Sequence, residues 1–89
     1  RISNKAQRAL RKLRRSGMFN PSVLNTVLLC LEQKNSLPGK YKDHQLHGEL
    51  VQFRECHLGF NLLLQYEKDD ELRLITISNI GTHQELFGE

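Results

Sequence analysis

The apolar positions near the start of the chain recur with the period of a helix. Between residues 3 and 16 they lie three or four positions apart, at Ala6, Ala9, Leu10 and Leu13. This spacing predicts an amphipathic helix, with Ser3 or Asn4 as its cap and Gly17 at its end.

A second helix is predicted to start at Asn20-Pro21 and to end near Asn35. Asparagine followed by proline is typical of a helix start. The apolar residues that follow again recur at helical spacing, at Val23, Leu24, Val27, Leu28 and Leu31.

Beyond residue 48 the apolar period changes from helical spacing to alternation. The pattern predicts three strands, over residues 50–57, 58–66 and 72–78, with a polar turn at 67–71. Residues 36–48 fit neither period and are predicted to form a long loop. The stretch before Asn4 is a candidate for a fourth strand, and Thr82-His-Gln-Glu85 has the spacing of a capping box that opens a short last helix. The predicted fold class is α+β: two N-terminal helices packed on an antiparallel sheet of three to four strands.

Length and composition describe one ordinary domain without a membrane span. The 89 residues are 38% hydrophobic and 26% charged, which is typical of a globular protein. No apolar run or signal peptide is visible, so a cytoplasmic location is expected. Two cysteines are too few for a disulfide framework, and both are expected to be reduced. Because the sequence begins with arginine, a short leader or an initiating methionine is expected before it.

The positive charge of the chain is concentrated at its start. Residues 1–31 carry seven basic side chains and no acid, whereas the net charge of the whole chain is only +3. Five of these side chains lie close together on the predicted first helix: Arg8, Arg11, Lys12, Arg14 and Arg15. Such a segment favours a polyanionic partner, although a solvated helix face explains a charge run equally well. Charge alone does not separate RNA from DNA or from an acidic protein.

All four histidines, at positions 44, 47, 57 and 83, lie in the second half of the chain on predicted loops or strand ends. Histidine is the side chain best matched to proton transfer near neutral pH. Cleavage of RNA through its own 2′-hydroxyl needs a base, an acid and a cation at the phosphate, and it needs no metal. Arg54, close to His57 in the sequence, is a candidate for the cation. Taken singly, each histidine is more often an ordinary surface residue.

Zinc binding is the competing use of these residues. His44, His47, Cys56 and His57 can be drawn as four ligands. However, Cys56 and His57 are adjacent, so on a strand their side chains point to opposite faces, and no paired CxxC or HxxxH spacing is present. Neither a metal site nor a cofactor is therefore predicted. Nothing marks Cys56 as an activated nucleophile, and Cys30 is predicted to lie in the core.

Three blocks of sequence resemble a known family in order and spacing. They are Tyr41-Lys-Asp-His-Gln-Leu-His-Gly48, Phe53-Arg-Glu-Cys-His57 and Gly81-Thr-His-Gln-Glu-Leu-Phe87-Gly88. Together they resemble the YafQ branch of the RelE superfamily, bacterial type II toxin–antitoxin toxins that cleave mRNA on the ribosome. The resemblance covers essentially the whole chain. It implies a microbial-ribonuclease-like fold, with two helices over a twisted antiparallel sheet, and a cognate antitoxin that wraps the toxin and blocks its site.

The resemblance also implies roles for individual residues. His44, His57 and His83 match active-site histidines of the family, and with Arg54 they form the predicted catalytic set. Phe87 matches the aromatic residue that lies against the substrate.

Two further residues complete the predicted substrate contacts, and one histidine is excluded. Lys42 and Asn61 join Phe87 as predicted substrate-binding residues. His47 falls where the family usually has no histidine, so no role is predicted for it.

Asn61 departs from the family pattern. The aligned stretch there commonly reads Pro-Asp-Trp, and its aspartate belongs to the active site. Asparagine keeps the shape and hydrogen bonding of aspartate but cannot take up a proton or carry negative charge.

Two functional hypotheses follow from different classes. The first is a ribosome-dependent endoribonuclease in which the three histidines share the acid and base roles, while the basic first helix contacts ribosomal RNA. The second is a module of the same fold that binds RNA or protein without cutting, which the exchange at position 61 motivates. A DNA-binding regulator is weaker, because no helix-turn-helix pattern is present, and operator DNA is expected to be reached only through the antitoxin.

Overall fold

The elements of the chain follow the predicted order of helices first and strands afterwards. A computed structural model describes residues 1–17, 19–33, 37–59, 61–72 and 74–87. The helices are α1 (Asn4–Ser16), α2 (Pro21–Glu32) and α3 (His83–Phe87). The strands are β1 (His44–Gln45), β2 (Arg54–Gly59), β3 (Leu62–Asp69) and β4 (Leu74–Gly81). Two short 3-10 turns, Gly39–Tyr41 and Gly48–Leu50, lie on either side of β1.

The helix ends confirm the capping residues that the sequence predicts. The Ser3 side chain accepts a hydrogen bond from the Ala6 amide, and Gly17 ends α1 in the left-handed conformation with φ of 73°. The Asn20 side chain accepts from the Ser22 amide at the start of α2. The predicted end of this helix near Asn35 lies outside the described residues.

The four strands form one antiparallel sheet in the order β1-β2-β3-β4. The predicted sheet of three to four strands is therefore confirmed. The stretch before Asn4 adds a single parallel bridge between Ile2 and Ile77 rather than a full strand.

Several predicted strand boundaries are wrong. Residues 50–53 form a turn, in which the Phe53 amide donates to the Leu50 carbonyl, instead of the first half of a strand. Strand β2 ends at Gly59, two residues beyond the predicted end, and its register against β3 shifts between His57 and Gly59. The predicted long loop contains the short strand β1, which pairs with β2.

One face of the sheet packs against the first two helices. Helix α1 lies mainly on β4 and α2 on β2. The core between them contains Ala6, Leu10, Leu24, Val27, Leu31, Cys56, Leu58, Leu64, Tyr66, Ile77 and Ile80. We call this face the helix face. Side chains alternate along a strand, so His57 and its register partner Leu63 lie on the opposite face, which we call the cleft face. No helix among the described residues has the length and apolarity to cross a membrane.

Candidate active site

A cleft of about 540 Å³ opens on the cleft face. Its lining residues come from the segment before β1, from β2, from the β2–β3 turn, from β3 and from the start of α3: Lys40, Lys42, His57, Gly59, Asn61, Leu63 and His83. The structure thus brings together four of the residues that the sequence predicts, His57, His83, Lys42 and Asn61. Sequence reasoning missed Lys40, although a second lysine two positions before Lys42 in the same segment was a usable signal.

His57 reaches the cleft because of the alternation along β2. Its neighbours Cys56 and Leu58 are buried in the core on the helix face. Opposite His57 in register lies Leu63, which is only 2% exposed. The imidazole therefore stands beside an apolar surface, where charges interact more strongly than in water.

His83 is held at the cleft by the capping box of α3. The Thr82 amide donates to Glu85 Oε1 at 2.9 Å, and the Glu85 amide donates to Thr82 Oγ1 at 3.1 Å. This reciprocal pair confirms the predicted capping box. Gly81 leaves room for it, because a Cβ at that position would meet Glu85 Oε1 at 3.1 Å.

Glu85 also ties α3 to the basic first helix. Its Oε2 lies 3.0 Å from Lys12 Nζ. The hydrogen bond from the Thr82 backbone and the contact with Lys12 lower the pKa of Glu85 below its usual value. The carboxylate is therefore ionised at neutral pH, as a residue near a helix N-terminus should be.

The predicted substrate contact Phe87 lies next to His83 rather than in the cleft lining. The two rings are one helical turn apart, with centroids separated by 5.1 Å and planes tilted by 48°. Phe87 lines a neighbouring cavity together with Leu50, Phe53 and Leu86. The aromatic ring therefore limits how the His83 imidazole can turn.

Lys42 and Asn61 share an unusual backbone conformation. Their φ values are 50° and 56°, and they are the non-glycine residues with positive φ in the part of the chain that the structure describes. Such strained conformations concentrate at functional sites. Asparagine adopts this region with little cost, whereas lysine pays roughly 1 kcal/mol or more. Both residues line the cleft.

His44 lies beside the cleft, not in its lining. Its Nδ1 is 2.7 Å from the carbonyl oxygen of Lys42, and its Nε2 is 3.5 Å from Oε1 of Glu55. The imidazole is about half exposed, whereas the Glu55 side chain is buried. Sequence reasoning missed Glu55, although its position two residues before His57 places both side chains on the same face of β2.

The comparison with known proteins identifies the family. A family model described as the bacterial toxin of type II toxin–antitoxin system, YafQ, matches residues 1–88. This chain belongs to the YafQ family.

Relatives of this YafQ-family chain agree with that assignment. The mRNA interferase toxin YafQ of Escherichia coli K12 is 38% identical over 62 residues, which cover 70% of this chain and 65% of that protein. The match therefore spans less than two thirds of that relative's length.

Solved structures of YafQ-like toxins share the fold. A metal-bound toxin from Helicobacter pylori is 38% identical, with a TM-score of 0.89 and coverage of 97% of this chain and 94% of that one. The E. coli DinJ–YafQ complex contains a chain that is 27% identical, with a TM-score of 0.83 and coverage of 98% and 94%. Both the resemblance and the α+β fold that it implies are confirmed.

The structure does not bring Arg54 of this YafQ-family chain into the cleft. Its Nη2 donates to Asp43 Oδ2 at 3.0 Å, and the Tyr66 hydroxyl donates to Asp43 Oδ1 at 2.5 Å. Because Tyr66 belongs to the core and is the register partner of Arg54, this cluster lies on the helix face. Its placement does not support the predicted contact between Arg54 and the phosphate.

The contacts in this cluster shift the pKa values of Arg54 and Tyr66. The hydrogen bond with Asp43 raises the pKa of Arg54. Burial, and then the hydrogen bond with Asp43, raise the pKa of the Tyr66 hydroxyl. Arg54 therefore stays charged and the Tyr66 phenol stays neutral at neutral pH. The cluster anchors Asp43, which lies between Lys42 and His44.

Cys56 has no role in the cleft of this YafQ-family protein. The residue is fully buried, and burial, with smaller contributions from Asp43 and Glu55, raises its pKa to about 12. The thiol is therefore protonated and inert at neutral pH. Among the described residues, no group of three or more His, Cys, Asp or Glu side chains is arranged to hold a metal ion.

The basic side chains of α1 form a separate exposed surface. Ala6 and Leu10 point into the core. The basic side chains of the helix are exposed: Arg8, Arg11, Lys12, Arg14 and Arg15. Lys12 makes the contact with Glu85. We call these five residues the basic surface of α1.

Proposed function

We propose that this chain is the toxin of a type II toxin–antitoxin system and acts as a ribosome-dependent endoribonuclease that cuts mRNA and stops translation. The observation that carries the proposal is that His57 of β2 and His83 of α3 line one cleft with Lys40 and Lys42. Two imidazoles and two ammonium groups are a sufficient set for RNA cleavage by proton transfer. Family membership supports the same activity.

The reaction uses the ribose of the substrate as its nucleophile. One imidazole takes the proton of the 2′-hydroxyl, and the 2′-oxygen attacks the adjacent phosphorus. The bond from phosphorus to the 5′-oxygen breaks, and a protonated imidazole gives its proton to that oxygen. The products are a 2′,3′-cyclic phosphate and a 5′-hydroxyl, so every proton and electron pair is accounted for.

The positive charge at the phosphate is assigned to the two lysines of the cleft. Lys40 and Lys42 line it, whereas Arg54 is engaged by Asp43 on the helix face. Ammonium groups aimed at the phosphate stabilise the negative charge that builds up in the transition state. Because protons and fixed charge carry this reaction, the proposed mechanism needs no metal ion at the scissile phosphate.

Asn61 in the cleft and Phe87 beside it orient the RNA in this proposal. Asn61 offers an amide that both donates and accepts hydrogen bonds, and its exposed position at the turn leaves it accessible. Phe87 supplies an aromatic face beside His83 on which a base can stack.

The basic surface of α1 positions the toxin on the ribosome in this proposal. Phosphate contacts fix orientation without reading sequence, and clustered arginines and lysines make such contacts. The site of action is then the cytoplasm, where ribosomes translate. Raising the salt concentration is expected to weaken ribosome binding steeply.

A cognate antitoxin is the proposed protein partner. The E. coli YafQ chain was solved in a complex with DinJ, and this chain shares its fold. An acidic or amphipathic antitoxin segment can bind either the basic surface of α1 or the cleft. Reversing the charges of Arg8, Arg11 and Arg15 separates these modes, because loss of the complex indicates the first and retention the second.

Mapping RNA 5′-ends in a reconstituted translation reaction tests the nuclease. We expect new 5′-hydroxyl ends with the parent protein, and a loss of cleavage of roughly 10²-fold or more for His57→Ala and for His83→Ala. His47→Ala is the matched control, since it removes an exposed imidazole outside the cleft lining. Full cleavage by both cleft variants would exclude the assignment. Translation arrest by the parent without new ends would show that the chain binds and does not cut.

A further inference from the structure

A second cavity lies on the cleft face, next to the cleft that holds His57 and His83. Its volume is about 270 Å³. Apolar side chains of the Gly48–Leu50 turn, of the segment before β2 and of α3 line it, together with side-chain amides of β3 and β4. Of this lining, the mechanism above uses only Phe87.

Two side-chain amides lie next to each other in this cavity. Gln65 of β3 and Asn79 of β4 are register partners, so their side chains leave the sheet on the same face, and both line the cavity. Asn79 is only 7% exposed. Its Oδ1 accepts a hydrogen bond from the Ile80 amide at 2.9 Å. The group that Asn79 can offer to a ligand is therefore the donor Nδ2.

Both amides keep unused hydrogen-bonding capacity. Among the residues that the structure describes, no hydrogen bond engages Asn79 Nδ2 or the side chain of Gln65. Buried polar groups in folded proteins are nearly always paired. An unpaired amide in the wall of a cavity therefore indicates a partner from outside the chain, and this partner must offer an acceptor to Asn79.

The other walls of the cavity are apolar and partly aromatic. Phe53 and Phe87 line it with Leu50 and Leu86, and all four side chains are partly buried. A nucleobase has two apolar faces and an edge of hydrogen-bond donors and acceptors. Proteins hold the unpaired bases of RNA by stacking them on aromatic side chains and by hydrogen bonds to their edges. The lining of this cavity offers both kinds of contact.

The cavity adjoins the cleft along β3 and along α3. Gln65 follows Leu63 of the cleft by two residues on the same face, a distance of about 7 Å. The ring of Phe87 lies 5.1 Å from that of His83. A base in the cavity therefore belongs to a nucleotide beside the scissile phosphate. The exposed Lys5 also lines the cavity and adds the positive charge that a phosphate-bearing ligand favours.

We propose that this cavity binds one unpaired base of the mRNA substrate, in a nucleotide that flanks the scissile phosphate. The amides of Gln65 and Asn79 form hydrogen bonds with the edge of the base, and the ring of Phe87 lies against its face. The inference rests on the proposed nuclease function and names residues that hold its substrate. Gln65 and Asn79 bind RNA and take no part in proton transfer.

NMR of the side-chain amides with RNA that cannot be cut tests binding without cleavage. The probes are the four 2′-O-methyl homotrinucleotides, and the control is a trinucleotide without bases. The methyl group blocks the attack of the 2′-oxygen, so the probes survive an active enzyme. We expect the NH₂ signals of Gln65 and Asn79 to shift with at least one probe and to stay in place with the control. Signals that no probe moves at millimolar concentration would overturn the proposal.

Two variants test the amides in the cleavage reaction. Gln65→Leu removes an amide that makes no hydrogen bond within the described structure. Asn79→Asp keeps the acceptor for the Ile80 amide and removes the donor Nδ2. In the reconstituted translation reaction we expect each to lower kcat/KM about 10-fold, mainly through KM. Asn25→Leu, which removes an exposed amide of α2, is the matched control and should equal the parent.

Substrates with one abasic nucleotide separate base binding from a merely structural effect. The base is removed on the 5′ or on the 3′ side of the cut. We expect one of these two changes to lower kcat/KM about 10-fold with the parent. The same change should cost Gln65→Leu no more than about twofold, because that variant has already lost the contact.

Equal losses for the parent and for Gln65→Leu at both positions would overturn the proposal. Should Asn79→Asp fail to fold, Gln65→Leu decides alone. If the parent cuts no RNA, the nuclease function fails, whereas the NMR shifts still decide whether the cavity binds a base.

Discussion

The two faces of β2 carry neighbouring residues with opposite chemistry. Towards the helices, Cys56 is fully buried with its pKa raised to about 12, and Arg54 is bound to Asp43. Towards the cleft, His57 stands beside two lysines, and Glu55 meets His44. The side chains of residues 54–57 therefore alternate between the helix face, where they stabilise the fold, and the cleft face, where catalysis is proposed. Adjacent residues on a strand point to opposite faces and rarely share a function, whereas residues two positions apart point to the same face.

The sharpest test of this contrast compares His57→Ala with Cys56→Ala. The first variant should lose RNA cleavage by roughly 10²- to 10⁴-fold, because the imidazole moves a proton. It should keep most of its stability, because His57 is only half-buried. The second should lose about 1 kcal/mol of stability, as when one buried group is deleted from a core, and keep its cleavage. Cleavage rates per folded molecule and urea unfolding measure the two effects. Similar profiles for both variants would contradict the division between faces.

Disruption of the cluster of Asp43, Arg54 and Tyr66 on the helix face is expected to have the next largest effect. Asp43→Ala leaves the Arg54 guanidinium and the Tyr66 hydroxyl without their acceptor, which should cost about 1–3 kcal/mol of unfolding free energy. Cleavage should fall severalfold as well, since Asp43 anchors the segment that holds Lys42 and His44. Tyr66→Phe is the control, because it removes one donor and leaves the ion pair. An Asp43→Ala protein as stable as the parent would show that the cluster contributes nothing.

A smaller effect concerns the pH dependence of α3. The pKa of Glu85 is lowered in the folded protein, so its contribution is fully present above the ordinary pKa of glutamate, about 4.3. It is lost as the pH falls below that value and through the lowered folded pKa. NMR amide shifts of residues 83–87 should therefore report unwinding of α3 in acid.

Two variants sharpen the result for α3. Glu85→Gln should remove the pH dependence of the amide shifts, and Thr82→Ala should destabilise the helix end by about 1 kcal/mol at all pH values. A helix that unwinds in acid to the same extent in Glu85→Gln as in the parent would exclude Glu85 as the cause.

Local signals in the sequence were sufficient for the helix caps and for the class of fold. Ser3, Gly17, Asn20 and the Thr82–Glu85 pair act as predicted, because capping depends on residues within one turn. The strand boundaries were not predictable in the same way. The register shift after His57 depends on pairing with β3, and β1 exists only because β2 lies beside it.

The candidate site likewise combines residues that the sequence indicates with contacts between residues that are distant in the sequence. Resemblance to the family indicated His57, His83 and Asn61, which the fold assembles with the predicted substrate contact Lys42. Arg54, which was predicted from its closeness to His57 in the sequence, does not join them in the cleft. Its side chain points to the other face and meets Asp43, a residue 11 positions earlier. The partnership between His44 and Glu55 depends on the register of β1 on β2, which no pattern along the chain reveals.

The close packing around Gly81 limits which side chains can occupy that position. A methyl group there would meet Glu85 Oε1 at 3.1 Å and Glu85 Cβ at 3.3 Å, whereas one at Gly39 would meet nothing within 4 Å. In a library of variants selected for growth arrest, position 39 should accept alanine more readily than position 81. The lack of a side chain at Gly81 thus leaves the Glu85 carboxylate free to close onto the Thr82 amide.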